Sequence, residues 1–126
     1  MGITMIKIIK ISSEYFAVGI LLGYYMSSTH SYLLGPVHVH INLLGWTSLT
    51  LAGILYYLFP ALAVGKAGMW HFWLHNIGLP IMMLSLSLVP VTENNAFLSG
   101  TAVGATFTAV AIMSFVWNLL KNLKAD

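Results

Sequence analysis

The chain has 126 residues, of which 59% are hydrophobic and only 6% charged, with a formal net charge of +2. A soluble domain carries about a quarter charged residues, so this composition cannot cover a water-facing surface and excludes a soluble globular fold. There is no cysteine, which excludes thiolate iron–sulfur, zinc-thiolate and cysteine-linked haem sites. The few lysines do not suggest nucleic acid as a partner.

The apolar runs predict an all-α integral membrane protein. It is a single domain over residues 1–126 with four transmembrane helices, at about Ile11–Leu33, Val37–Phe59, Gly68–Val89 and Ala96–Leu120. Each run can cross a hydrocarbon core of roughly 30 Å at 1.5 Å per residue. Helices are required because no water in the bilayer core can satisfy free peptide groups. Lys7 and Lys10 precede the first run as they would in a signal peptide. The run is long and lacks a small-residue cleavage pattern, so a retained helix is expected. Small residues recur every four positions at Gly19, Gly23 and Ser27 and again at Gly100 and Gly104. Such stripes let backbones approach, either within the bundle or between subunits.

Turn chemistry separates the runs. Gly35-Pro36 opens the second helix, while Pro60 and Pro90 are expected to end the second and third. Four spans put both termini and the second-to-third connection on one side. All five lysines (Lys7, Lys10, Lys66, Lys121, Lys124) fall there, and Glu93 lies opposite. The positive-inside rule then makes both termini cytoplasmic. Trp70, Trp73 and Trp117 fit an aromatic belt at the inner interface. Met69, Met82, Met83 and Met113 read as packing.

The histidines carry the chemistry, because ionisable groups in or beside a span are functional candidates. His30, His38 and His40 lie toward the outer side around a short connection, and His71 and His75 toward the inner side. The two groups are expected about 15–20 Å apart along the membrane normal, too far to share a metal. His38 and His40 subtend about 200° on a helix, so their rings address different neighbours. The plain reading is a headgroup-wetted pair. The reading taken is axial ligation of haem iron, with His30 as a third outer candidate. The face of His38 continues through Asn42, Gly45, Leu49 and Gly53, where the glycines leave room for a flat macrocycle. His71 and His75 share one face at i,i+4 spacing and could grip a metal such as zinc. No carboxylate accompanies them, and interfacial histidines within the tryptophan belt are the reading taken. The candidate metal ligands are thus His38, His40, His71 and His75. Asn76 reads as a packing amide and Glu14 as a solvated or capping carboxylate.

The stretch His38-Val39-His40-Ile41-Asn42-Leu43-Leu44-Gly45, running on to Tyr57-Leu58-Phe59-Pro60, resembles the tenth helix of the catalytic subunit of haem-copper oxidases and their nitric oxide reductase relatives. The segment from Trp70-His71-Phe72 through Leu79 to Pro90 looks like the eleventh. The resemblance covers roughly Pro36 to Pro90. It implies haem b as cofactor, with His38 on the high-spin haem and His40 on the low-spin one. The function it implies is electron transfer or binding of oxygen or nitric oxide, as part of an oxidoreductase of that type. The family subunit is built as three pseudo-repeats of four helices. The resemblance therefore implies a homo-oligomer, a trimer by analogy, in a bacterial inner membrane and meeting a redox partner protein. This chain lacks the family's adjacent histidine pair for copper and the arginines that hold haem propionates. Copper and full oxygen reduction are accordingly the less supported part of what the resemblance implies, with copper kept as an open option, whereas haem needs only the outer imidazoles. The competing class is a copper- or zinc-binding or transporting protein using the two histidine groups.

Overall fold

The computed structural model describes residues 5–125, and the expected domain of residues 1–126 extends past them at both ends. Four long helices alternate in direction: α1 Met5–Thr29, α2 Gly35–Leu58, α3 Lys66–Thr92 and α4 Leu98–Asn122. Short 3-10 turns at Pro60–Leu62 and Asn95–Phe97 lead into α3 and α4. Among the described residues there is no strand.

Three helical stretches, Gly35–Leu58, Lys66–Thr92 and Asn95–Asn122, are long and apolar enough to cross a membrane. Large apolar side chains are exposed along their length, among them Leu43, Leu84, Val110 and Leu120. That distribution suits lipid rather than water as the outer solvent. The chain is an all-helical membrane protein. α1 is equally long, but Lys7, Lys10 and Glu14 with a run of hydroxyl side chains dilute it, and it is not among the three.

The ends of the helices differ from the sequence expectation in two places. α1 stops at Thr29 rather than Leu33, because His30 turns into the left-handed region at φ 52°. That conformation is a common helix terminator. Pro90 does not end α3: the helix runs on to Thr92 and ends at Glu93, which has φ 54°. A proline in the last turns removes only one amide donor, and Pro80 lies within the same helix too. Pro60 does end α2, leaving Phe59 extended at φ −128°, ψ 77°, as the residue before a proline prefers.

Packing follows two hairpins. α1 lies antiparallel along α2, and Gly23, Gly19, Gly45 and Gly53 mark where they nearly touch. A Cβ at Gly23 would come 2.8 Å from His38 Cε1, and one at Gly53 2.9 Å from Ile9 Cγ1. α3 and α4 meet through Gly78 and Gly104, where a Cβ on Gly104 would fall 2.7 Å from the Gly78 carbonyl oxygen. The small-residue stripe therefore serves contacts inside the bundle at Gly19, Gly23 and Gly104. One apolar cluster (Ile8, Leu49, Ala52, Tyr56, Leu62, Phe72) fills the end carrying the lysines. A second (Val37, Ile41, Leu79, Met82, Met83) fills the Glu93 end.

Candidate cofactor ligands and a buried imidazole pair

At the Glu93 end, Pro36 stands in the first turn of α2 and the His38 amide bonds the Leu34 carbonyl at 2.9 Å. The next turns present His38 to α1. Its Nδ1 lies 2.9 Å from the Gly19 carbonyl oxygen. A carbonyl can only accept, so Nδ1 carries a proton, and in the neutral form of the ring the lone pair is on Nε2. The Asn42 amide donates to the His38 carbonyl at 3.0 Å. Its approach to His38 Nδ1 at 3.3 Å is then donor facing donor and contributes no bond. His40 folds back on its own helix, donating from Nδ1 to the Pro36 carbonyl at 2.7 Å. Both rings thus hold the same tautomer, each with Nδ1–H on a backbone carbonyl and Nε2 available. Metal-ligating histidines are oriented in this way.

One part of the sequence reading of this end is corrected, and it concerns space rather than ligands. His30 is exposed at the end of α1. Among the described residues no group of three or more His, Cys, Asp or Glu is placed to hold a metal ion. The face running from His38 through Asn42 to Gly53 has no room for a macrocycle. Tyr15 covers Gly45, while Ile8 and Ile9 cover Gly53. The glycines admit α1, not a cofactor. Haem fits the donor set here, but its ring would have to lie beyond the α1 seam.

Toward the lysine end the third helix brings His71 and His75 onto one face, and the expectation of interfacial histidines is overturned. His71 is 2% exposed and His75 fully buried. They face α2 and α4 rather than the membrane surface, where Trp70, Trp73 and Trp117 are exposed instead. His71 Nδ1 lies 2.7 Å from the Tyr56 hydroxyl, and its ring lies 4.7 Å from that of Phe115. His75 donates from Nε2 to the Leu44 carbonyl at 2.9 Å. The two imidazoles are perpendicular, with centroids 5.4 Å apart. His75 Nδ1 is buried without a hydrogen-bond partner, as is Asn76 Oδ1. Asn76 donates to the Phe72 carbonyl at 2.8 Å. It shares with Glu14 and Tyr15 a groove of about 370 Å³ between α1 and α3.

Residues that sequence reasoning passed over complete this end. Tyr56 is buried while its neighbour Tyr57 is exposed. Asn118, 1% exposed, donates to the Leu62 carbonyl at 2.7 Å and accepts from Asn122 at 2.8 Å. It pins α4 to the turn that follows α2. Nothing in the spacing of single polar residues on separate helices signals such a meeting.

The chain shares 35% identity over 63 residues with cytochrome c oxidase subunit 1 of Rhodobacter capsulatus. The match takes in 44% of this chain and spans 12% of the length of that protein. No protein-family model and no solved structure matches the chain. The similarity is partial and links the chain loosely to oxidase subunits of this kind. With the half-exposed imidazole doublet, the arrangement leaves two Nε2 atoms without a protein partner among the described residues at one end of the bundle. At the other it offers a buried imidazole pair held by Tyr56 and Leu44.

Proposed function

We propose that this protein is a haem b-binding membrane subunit related to the haem-copper oxidase core, acting in electron transfer or in binding oxygen or nitric oxide. The observation that carries the reading is the common tautomer of His38 and His40, which directs Nδ1–H to a carbonyl and leaves Nε2 for iron. The partial likeness to a cytochrome c oxidase subunit supports it. Bound haem supplies one-electron chemistry or an open iron position for a diatomic gas. The chain's part is to fix the ring planes of the two imidazoles through their Nδ1 bonds to backbone carbonyls. In this reading the macrocycle sits between protomers of a homo-oligomer, a trimer by analogy, since α1 occupies the glycine face of α2. The exposed His30 of a neighbouring protomer is then the candidate opposing ligand.

All four helices span the bilayer in this reading. α1 belongs with them because it lines α2 from Ile9 against Gly53 to Gly23 against His38. The lysine end faces the cytoplasm of a bacterial inner membrane. A redox partner protein meets the opposite end. The chain lacks cysteine, so single cysteines at Asn94 and Lys124 test this directly. An impermeant maleimide added to intact cells should label the first and spare the second, and the reverse pattern would invert the topology.

A visible spectrum of detergent-purified protein tests the cofactor. Reduced-minus-oxidised bands at haem b positions are expected, and a preparation that stays colourless after hemin reconstitution would overturn the assignment. The buried, unpartnered His75 Nδ1 beside His71 favours a second reading, a copper or zinc binding or transport protein. Stoichiometric metal without haem bands is its signature.

A further inference from the structure

α2 is not a regular helix. Its residues Ile41–Thr47, starting immediately after His40, form a π-helical segment. π turns inside α-helices are rare and concentrate at functional sites. Here the Ser48 amide, which in α register would bond the Leu44 carbonyl, bonds the Leu43 carbonyl instead, and the Ser48 hydroxyl adds a second bond to it at 2.8 Å. The Leu44 carbonyl thereby loses its α partner. A donor arrives from another helix: His75 Nε2–H, fully buried, at 2.9 Å.

The π segment sets which way the outer imidazoles face. His38, Asn42, Gly45 and Gly53 all meet α1. From His38 to Gly53 is fifteen residues, which in a regular α-helix rotate about 60° past four full turns. One wider turn absorbs that excess and keeps both ends of the seam on α1. A reversion to α register would swing the first turns of α2 about its axis and take His38 off the Gly19 carbonyl. The donor also comes from a stretch of α3 that lacks one helical hydrogen bond, since Pro80 has no amide hydrogen for the Asn76 carbonyl four residues earlier.

We infer that His75 is a positioning residue: its bond to the Leu44 carbonyl locks the π register of α2 and so fixes the orientation of His38 and His40. The lock is in the protein geometry. Only its consequence for haem rests on the function proposed above.

Spin labels test it without any cofactor. One pair, Val39→Cys with Leu98→Cys, reports the Glu93 end, and a second, Tyr57→Cys with Leu120→Cys, reports the lysine end. All four positions are exposed. In His75→Ala, and in His75→Leu, which fills the space without a donor, the first distance should shift by on the order of 5 Å. The second pair should keep its parent value, which shows that the bundle is folded. His75→Gln, whose amide can donate to the same carbonyl, should restore the first distance. An unchanged first distance in both donor-less variants overturns the inference, and so does a shift in the glutamine variant as large as in the alanine one. In pigmented protein, the alanine variant should retain haem but alter the electron paramagnetic resonance signature of its axial imidazoles, with recovery in the glutamine variant. A colourless parent would remove the haem reading while leaving the distances to decide the lock.

Discussion

The two histidine pairs use the same side chain for opposite ends. His38 and His40 sit at the start of a helix, half exposed, and spend only Nδ1 on the protein. His71 and His75 sit one turn apart in the interior, wedged among Tyr56, Phe115 and a backbone carbonyl. Burial away from solvent makes a polar atom lean on protein partners, so the inner pair joins helices together, with His75 Nδ1 left unpartnered. The outer pair, with a lone pair left over on each ring, is free to take a ligand from outside the chain. Chemistry follows from which nitrogen the fold leaves vacant, and sequence spacing does not reveal that.

Substitution of the two pairs should break this comparison most sharply. His38→Ala or His40→Ala should lower haem content at least tenfold in the pyridine haemochrome assay. His71→Phe should leave it within twofold of the parent. Equal loss in all three would mean that the pairs do not differ in kind.

The next effect is on the bundle that holds both pairs. Gly104→Leu should destabilise by about 1–3 kcal/mol or more in a detergent unfolding titration. Its new side chain would meet the backbone of Met82 and Gly78, which cannot move aside as a side chain can. Leucine tolerated at this position would mean that α3 and α4 can separate freely.

A smaller effect sharpens the inner site. Tyr56→Phe removes the hydroxyl partner of His71 Nδ1. It should cost about 1 kcal/mol, the usual scale for a polar contact between membrane helices. Tyr57→Phe, at an exposed position, should stay within about 0.5 kcal/mol. Identical unfolding midpoints for the two variants would count against the buried contact.

The smallest effect concerns a helix end. Glu93→Gly should raise stability by about 0.5 kcal/mol, because glycine takes φ 54° without strain. Glu93→Ala should show no such gain, and calorimetry of the two variants side by side checks it.

Much of the architecture was legible in the sequence because lipid imposes a one-dimensional rule. Long uncharged runs must be helices, and Gly35-Pro36 and Pro60 mark breaks that the backbone respects. The candidate site was legible in part. His38 and His40 stand out as polar groups in an apolar run, but their tautomers depend on the Gly19 and Pro36 carbonyls that the fold brings to them. Asn118 was invisible because its acceptor at Leu62 lies fifty-six residues earlier in the chain. The glycines of α2 were read as space for a cofactor, yet a glycine records only that something comes close. Tyr15 and Ile9 turned out to be what does.

Sequence alone determined that this chain is helical and belongs in a membrane, since hydropathy is a sum over neighbours along the chain. Tertiary structure decided which imidazole nitrogens are spent, where His71 and His75 are buried, and where α2 departs from α register. Those outcomes depend on donors and acceptors from different helices meeting at hydrogen-bond distance, and no local pattern encodes such a meeting.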